Sequence, residues 1–547
     1  MIRPLLASTV AGAMMIVAVG TAQDRRDPDV GTAVIQGRVM RADTGQPLRR
    51  AQIRASAPGV PRVRFASTDG EGRFTLAAVP AGTWTLTASL AGFVTQTLGQ
   101  RRPFEVVDPI EIEDGERFAA ADFALPRGGA ISGRVYDESG DPVAGIRVQA
   151  MRSRFERGRR ELAPTGAVDQ SDDTGAFRLY GLPPGDYYVA ASLREPGAGQ
   201  PGDAMASYAP TYFPGTAGLA QAQRIRIGVG DEQVASFPLL AVPTALVSGI
   251  ALASSGQPLG NGTIVLMPSD FNDAGRALMG TIRPDGTFSF VNVAPGDYFI
   301  EIQAGPGRAN TTREVAALPI VVGGSDLTGI AITTGRGAVL TGRVVADPAA
   351  ALPNLSGVSI TAEIMRRAPG VVRTLGGSRV DTTGAFRMED LVGLYAFRVT
   401  GVPDGWMVKT ITINGTDVSD RIVEFTGRER AARAELVLTS RVTEVSGRIT
   451  GSGVSASPNA TVIVFPEDTT KWAYPSRYLR STRVGERGEF AISGLPPDAR
   501  YRAIAVDYVA AGEDTDPDFL AAISERATPF SLGDGERQTL SLVLVER

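Results

Sequence analysis

Hydrophobic and polar positions alternate with a period of two along most of the chain, which predicts short β-strands with one buried and one solvated face. The pattern is clearest over Asp172–Val189, which reads DDTGAFRLYGLPPGDYYV. An acidic turn leads into a strand that carries Phe177 and Leu179, and a Pro-Pro-Gly corner precedes a second strand that begins at Tyr187. Because Gly allows positive φ and Pro fixes a negative one, this stretch predicts a β-hairpin.

This hairpin pattern occurs five times. The five pairs of a Phe and a later aromatic residue are Phe74/Trp84, Phe177/Tyr187, Phe288/Tyr298, Phe386/Tyr395 and Phe490/Tyr501. Each copy follows an alternating strand centred on a Gly, and these glycines are Gly37, Gly133, Gly249, Gly342 and Gly447. Roughly seven short strands per hundred residues are typical of a β-sandwich. The repeated aromatic residues are predicted to lie in the sandwich cores.

The predicted fold is therefore all-β, a tandem array of about five antiparallel seven-stranded β-sandwiches. The predicted domains are residues 33–126, 127–241, 242–334, 335–440 and 441–547, called units 1 to 5 below. Short connections between the units predict an extended rod. Helical periodicity is scarce, and Phe519–Arg526 is the best short candidate for a helix.

The N-terminus has the pattern of a targeting segment. In residues 1–22, Arg3 precedes an apolar run from Leu5 to Val19 and a group of small residues, which predicts a cleaved secretory signal peptide. The alternative is an uncleaved anchor, but the run is short for a span of about 20 residues. Residues 23–32 are predicted to form a disordered leader. Since no second run of this kind follows, we expect a mature protein without a membrane span, either secreted or periplasmic.

Composition removes most catalytic mechanisms. The 547 residues include no His and no Cys, which excludes a His-dependent triad, a His zinc ligand, a thiolate nucleophile and a disulfide. Net charge is −4, so there is no electrostatic footprint for nucleic acid. We therefore expect no enzyme activity and no cofactor. A carboxylate-pair hydrolase is the remaining enzymatic alternative, and its candidates by residue type are Glu467, Asp468, Asp514, Asp516 and Asp518.

The order of the motifs resembles a known domain family. The order G-x-[VI], turn, strand, D-x-x-G-x-F-x-[LI]-x-x-[LV]-P-P-G-x-Y resembles the carboxypeptidase regulatory-like domain, and the likeness spans about 33 to 547. This resemblance implies a prealbumin-like (transthyretin-like) or Ig-like sandwich, a fold also grouped with carbohydrate-binding-like and Cna-B-type surface domains. The motif acid is present as Asp69, Asp172 and Asp381, but the third copy has Arg283 there and the fifth has Gly485. In metallocarboxypeptidases the domain accompanies a catalytic domain with His and Glu zinc ligands, so that activity does not carry over to a chain without His.

A second likeness concerns secreted proteins of environmental bacteria that contain several such units. The stretches that carry it are Tyr208–Gly215, Gly405-Trp406, Asn414–Val418 and Val462–Pro466.

Two loops carry aromatic residues outside the repeat, and they are the candidate ligand-binding residues. They are Tyr208, Tyr212 and Phe213 in a Pro/Gly-rich insertion of unit 2, and Trp472, Tyr474 and Tyr478 in a polar loop of unit 5. Flat rings on loops held by a rigid scaffold would suit a sugar or a peptide. The favoured alternative is that the loops fold back on their own sandwich or pack on the next unit.

Charged clusters give two further hypotheses. Asp169, Asp172 and Asp173 are candidate calcium ligands, but an Asp that caps its own turn explains the motif acid with fewer assumptions. The basic run Arg152–Arg160 is predicted to be a solvated, flexible loop rather than a nucleic-acid patch.

Together these patterns predict a secreted, non-enzymatic structural or adhesive surface protein or interaction module. The alternative is a carbohydrate-binding protein that uses the loop aromatics of unit 5. The expected partner is a polysaccharide or a cell-surface protein, and the sequence leaves the oligomeric state open.

Overall fold

The computed structural model describes residues 31–105, 107–156, 158–193, 207–269, 277–304, 314–347, 351–364, 377–426, 431–450, 460–485 and 487–546. The predicted signal peptide lies outside the described residues, as does most of the predicted leader. Within the described ranges, no helix has the length and apolar character needed to cross a membrane.

Unit 1 is a sandwich of two sheets. Its strands are β1 (Ala33–Arg41), β2 (Gln52–Ser56), β3 (Arg64–Ser67), β4 (Arg73–Val79), β5 (Gly82–Ser89), β6 (Gln96–Thr97), β7 (Ile110–Ile112), β8 (Arg117–Phe118) and β9 (Phe123–Leu125). One sheet has the order β4-β1-β8, with β9 also on β1, and the other has the order β3-β2-β5-β6, with β7 also on β5. The strands β4 and β5 are the predicted hairpin.

Unit 2 repeats this plan and extends it. Its strands are β10 (Gly129–Tyr136), β11 (Ile146–Glu156), β12 (Arg159–Gln170), β13 (Ala176–Leu182), β14 (Gly185–Leu193), β15 (Ser207–Ala209), β16 (Thr211–Tyr212), β17 (Ile225–Ile227), β18 (Glu232–Val234), β19 (Phe237–Pro238) and β20 (Leu240–Val242). A short 3₁₀ helix spans Leu219–Gln221. The sheets have the orders β13-β10-β18 and β12-β11-β14-β16, and β15 pairs with β20.

The basic run of unit 2 is not the flexible loop that its composition predicts. Arg152 pairs with Ala163 and Phe155 with Arg160, so the run continues β11 and β12 as one long antiparallel hairpin. Both faces of this extension can hold charged side chains because it projects beyond the sandwich core.

Units 3 and 4 have the same two-sheet plan. Unit 3 contains β21 (Ala245–Leu252), β22 (Thr263–Pro268), β23 (Leu278–Thr281), β24 (Thr287–Val293), β25 (Gly296–Ala304), β26 (Glu314–Val322) and β27 (Leu327–Thr333). Unit 4 contains β28 (Ala338–Asp347), β29 (Ser359–Ile364), β30 (Ser378–Arg379), β31 (Ala385–Leu391), β32 (Gly393–Thr400), β33 (Met407–Ile413), β34 (Thr416–Asp417), β35 (Val423–Phe425) and β36 (Ala432–Thr439). Their sheets have the orders β24-β21-β27 and β23-β22-β25-β26 in unit 3, and β31-β28-β36-β33-β34 and β30-β29-β32-β35 in unit 4.

Unit 5 joins its strands into one continuous sheet that curls around the core. The strands are β37 (Glu444–Thr450), β38 (Thr461–Pro466), β39 (Arg480–Arg483), β40 (Glu489–Ser493), β41 (Ala499–Val506), β42 (Thr528–Leu532) and β43 (Arg537–Val545). The order is β39-β38-β41-β43-β37-β40, with β42 also on β41. The helix α1 spans Pro517–Ser524, close to the predicted Phe519–Arg526, and 3₁₀ helices span Thr469–Trp472 and Glu513–Thr515.

Most strand pairs are antiparallel, and the closing strand of each unit is the exception. The closing strands lie parallel to the opening strands in the pairs β1/β9, β10/β19, β21/β27, β28/β36 and β37/β43. The central Gly of the opening strand faces this pairing. A Cβ on Gly249 would lie 2.0 Å from the carbonyl oxygen of Ile330, so the repeated Gly is required by close backbone approach.

The core of each unit is fastened to its hairpin corner by one hydrogen bond. The second aromatic of the repeat is Trp or Tyr in all five copies, and its polar atom donates to a backbone carbonyl three to five residues earlier. These bonds are Trp84–Pro80, Tyr187–Pro183, Tyr298–Ala294, Tyr395–Val392 and Tyr501–Pro496, at 2.5 to 3.0 Å. All five side chains are at most 3% exposed, which confirms their predicted place in the cores.

Hydrophobic burial is divided along the chain in the same way as the repeat. The main clusters of buried residues run from Ala33 to Leu125, Ile131 to Leu239, Ala245 to Ile332, Ala338 to Leu438 and Val445 to Leu542. The prediction of an all-β chain of tandem β-sandwiches is confirmed. The number of five domains and their bounds remain a prediction.

Candidate functional site

The loop aromatic that the carbohydrate alternative most depends on is buried. Trp472 is 7% exposed, donates its indole N–H to the Pro466 carbonyl at 2.8 Å and packs edge-on against Phe465. Leu520 and Ile523 of α1 belong to the same cluster, which covers the outer face of the β38/β41 sheet. Since the ring has no free face, the hypothesis that Trp472 is a sugar platform is wrong.

Tyr474 lies between units rather than in an open loop. Its hydroxyl donates to the carboxylate of Glu363 in unit 4, and the guanidinium of Arg398 lies 5.2 Å from its ring centroid. On its other side it meets Gly158 of unit 2, where an added Cβ would lie 2.6 Å from the Tyr474 Cβ. Burial is the main cause that raises the pKa of this phenol.

Arg477, in the same loop, holds unit 5 on unit 4. Its guanidinium is 3.0 Å from the Asp420 carboxylate and donates to the Lys409 carbonyl at 2.7 Å. Tyr478 turns inward and stacks on Tyr501, with ring centroids 6.3 Å apart. The favoured alternative, packing on the own sandwich or on another unit, describes all of these contacts.

The unit 2 candidates also serve the scaffold. Tyr212 is 5% exposed, and Phe213 packs edge-on against the core residue Phe237 at a centroid distance of 5.9 Å. Tyr208 pairs with Ala241 across β15 and β20. The structure therefore brings none of the six predicted aromatics together in a shared ligand site.

The candidate calcium carboxylates are engaged in turns. Asp172 accepts from the backbone N–H groups of Thr174 and Ala176, each at 2.9 Å, and the Thr174 hydroxyl and these backbone bonds lower its pKa. Asp169 accepts from the Arg178 N–H at 2.7 Å, whereas Asp173 is exposed. Among the residues that the structure describes, no three His, Cys, Asp or Glu side chains converge as a metal site would require.

The carboxylates considered for a hydrolase have structural partners as well. Glu467 is 3.2 Å from Arg502, Asp514 accepts from the Ser481 hydroxyl at 2.7 Å, and Asp468 caps the 3₁₀ helix that begins at Thr469. Asp516 and Asp518 pair with Arg160 of unit 2. This arrangement uses the acids to hold loops and units together.

Units 1 and 5 touch although they are far apart in the chain. The Arg102 guanidinium is 2.5 Å from the buried carboxylate of Asp507, and the Tyr508 hydroxyl donates to the Pro103 carbonyl at 2.7 Å. A backbone bridge joins Glu105 to Ala510. These contacts contradict the predicted extended rod, because a rod would keep its first and fifth units apart.

Unit 2 completes this contact, and we call the region the three-unit junction (Arg102, Phe104, Arg152, Arg160, Tyr508 and Asp516). Phe104 of unit 1 packs against the core of unit 2, and the Arg152 guanidinium lies 3.4 Å from its ring centroid. Burial lowers the pKa of Arg152. Arg160 reaches Asp516 of unit 5 at 3.0 Å, and this hydrogen bond is the main cause that raises its pKa.

A cleft of about 750 Å³ opens beside the junction, between units 1 and 2. Unit 1 contributes Arg50, Gln52, Gln96 and Arg101, and unit 2 contributes Tyr180 together with its Pro-Pro corner. We call this space the inter-unit cleft. It is the best-formed concave surface of the described residues and has a volume typical of ligand sites.

The sequence pattern did not identify the cleft or the junction. The local signal that could have found them is Arg101-Arg102-Pro103-Phe104, which places a large apolar side chain outside the alternating pattern. What such a residue covers cannot be read from its neighbours in sequence.

The comparisons with known proteins agree with the fold. The model of the carboxypeptidase regulatory-like domain matches residues 34–126 and 130–199. No curated protein matches the sequence.

Solved structures with similar folds include three surface-type proteins of low identity. The TIE protein of Bacillus anthracis is 12% identical, with 76% of this chain and 72% of that chain covered and a TM-score of 0.17. A streptococcal ancillary pilin is 10% identical, with 55% and 98% covered and a TM-score of 0.21. The minor pilin of Streptococcus agalactiae is 16% identical, with 39% and 98% covered and a TM-score of 0.21. At these TM-scores, no property of the three proteins is transferred to this chain.

The family resemblance noted from the motifs is therefore confirmed. Its matched part covers unit 1 and most of unit 2. These two units are similar to the carboxypeptidase regulatory-like domain.

Proposed function

We propose that the chain is a secreted, non-enzymatic interaction protein of the bacterial cell surface, in which the β-sandwich units form one closed platform. The observation that carries this proposal is the docking of unit 5 on units 1, 2 and 4. A simple spacer needs contacts only between successive units. Contacts between distant units instead fix the relative positions of loops, and a binding surface fixed in advance loses less entropy when its partner binds.

The uses of the charged and aromatic side chains support the same proposal. Asp516 holds unit 2, Asp507 holds unit 1, and Glu363 holds the unit 5 loop. The absence of His and Cys from the sequence removes the commonest nucleophile and base pairs. Binding at a preformed surface is the function that these residues suit best.

The experiment is a binding measurement with the purified mature chain, residues 23–547, and the isolated cell envelope of the bacterium that encodes it. We expect saturable sedimentation of labelled protein with the envelope, displaced by excess unlabelled protein. Binding that rises linearly without saturation would contradict an interaction function, and release of soluble envelope fragments would contradict the non-enzymatic assignment.

Localisation is tested separately with the full-length chain in intact cells. We expect added protease to degrade it while a cytoplasmic marker survives. Survival of the chain in intact cells and its loss only after envelope disruption would place it inside the envelope, against a surface role.

A further inference from the structure

We propose that the inter-unit cleft binds uronic-acid residues of an acidic polysaccharide. This inference deepens the proposed function and rests on it, because it names the class of partner. Three properties of the cleft carry it: its charge, its uncommitted hydrogen-bonding groups and its exposed ring.

The cleft has charge of one sign. Its charged lining residues are Arg50, Arg101 and Arg102, and no Asp or Glu lines it within the described part of the chain. Arg102 is engaged by Asp507, whereas Arg50 is exposed and no described side chain is recorded in an ion pair with it. A guanidinium favours planar carboxylates because it offers paired N–H donors. The cleft is therefore suited to a carboxylate.

The polar groups around Arg50 suit a ligand that also bears hydroxyls. Gln96 donates its amide N–H to the Gln100 carbonyl at 2.6 Å, but its side-chain oxygen Oε1 is buried without a described partner. Such an acceptor gains from a ligand O–H donor. Gln52 extends this wall of amides.

Two features favour a sugar over a peptide on this wall. The Thr97 N–H, on the outer strand β6, already donates to the Gln100 side-chain oxygen at 3.0 Å, so it is not free to pair with an added strand. Opposite it, Tyr180 is 54% exposed and presents a ring. Aromatic rings pack on the apolar C–H faces of sugar rings, as on other apolar surfaces. A chain of uronic acids supplies carboxylates, hydroxyls and such faces together.

The test is calorimetric titration of the full mature chain with tetragalacturonate, and with its methyl ester as a neutral ligand of the same shape. We expect binding of the acid that weakens as salt is added, and at least about tenfold weaker binding of the ester. Equal affinity for acid and ester would overturn the assignment. Tighter binding of a tetraglutamate peptide than of tetragalacturonate would also overturn it, in favour of an acidic protein partner.

Matched variants locate the site. Arg50→Asn suits the positive φ of 60° at this position and should weaken tetragalacturonate binding about tenfold or more, and Tyr180→Ala should weaken it as well. Arg54→Asn, also exposed in unit 1 but outside the cleft, and Phe65→Ala, 66% exposed, should bind like the parent. Unchanged binding in Arg50→Asn and Tyr180→Ala would overturn the cleft as the site.

The envelope measurement keeps this inference separate from the proposed function. If the parent chain binds the envelope but not tetragalacturonate, the uronic-acid assignment fails and the interaction function stands. If it binds neither, both fail.

Discussion

At the scale of single residues, the polar atom of the second repeat aromatic is the feature with the clearest energetic consequence. Tyr298 is 3% exposed and its hydroxyl donates to the buried Ala294 carbonyl at 2.9 Å. Tyr298→Phe keeps the ring but leaves this carbonyl without its donor. We expect unit 3 to lose about 1–2 kcal/mol of unfolding free energy, measured as faster amide hydrogen exchange in unit 3 peptides.

The control for this prediction is Tyr180→Phe. Tyr180 is 54% exposed, so its hydroxyl can bond to water in either state and exchange should not change. Equal exchange rates in Tyr298→Phe and the parent would show that the corner hydrogen bond does not stabilise the unit. The sequence predicted that these aromatics are core residues but not why they are Trp or Tyr and never Phe, because the acceptor is a backbone carbonyl that leaves no mark on residue type.

At the scale of elements, the repeated Gly of the opening strand fixes how each sandwich closes. In unit 3 a Cβ on Gly249 would overlap the Ile330 carbonyl oxygen of the parallel strand β27, and it would lie 2.8 Å from the Phe288 ring. Neither the backbone nor a packed ring can move away easily. We therefore expect Gly249→Ala to destabilise unit 3 by roughly 3 kcal/mol or more, measured by thermal unfolding together with exchange in β21 and β27.

Gly323→Ala is the matched variant for this prediction. Gly323 is an exposed Gly of the same unit with no atom within 4 Å of an added Cβ, so its loss of stability should be small. If both variants unfolded at the parent temperature, close approach would not be the reason for the Gly.

Elements were predictable from sequence to the extent that their signals are local. The start of α1 follows from Asp516, whose side chain caps the helix, and from Pro517 at its first turn, so the predicted helix is displaced by only two residues. The hairpin of β11 and β12 was mistaken for a loop because its extension buries few apolar side chains and so lacks the alternation that marks a strand. Parallel closure was not visible either, since pairing direction is set by where the chain returns.

At the scale of the whole molecule, the destinations of the loops were beyond the reach of sequence patterns. Tyr474 meets Glu363 across 111 positions and Arg102 meets Asp507 across 405. An aromatic residue in a polar loop has the same local pattern whether it covers a neighbouring unit or binds a ligand. The cleft shares this limit, because its two walls come from different units.

The closed arrangement predicts the size of the molecule in solution. One compact body of this length has a radius of gyration of about 25 Å, whereas five domains of about 100 residues placed end to end would give about 50 Å. Small-angle X-ray scattering of the mature chain should give a value much nearer the lower figure. The double variant Arg102→Glu/Arg160→Glu places carboxylates against Asp507, Asp516 and Asp518, which removes two attractions and adds repulsion between units. Its radius of gyration should rise by on the order of 10 Å or more toward the extended value.

Arg178→Glu changes the charge equally per site but disturbs only the pair with Glu232 inside unit 2, at 3.2 Å. Its radius of gyration should equal that of the parent. A parent value near the extended figure would restore the rod, and an unchanged double variant would mean that packing of Phe104 and the Tyr508 hydrogen bond hold the units together without the ion pairs. Because the cleft is built from units 1 and 2, whose contact Phe104 mediates, opening of the junction should also weaken ligand binding there.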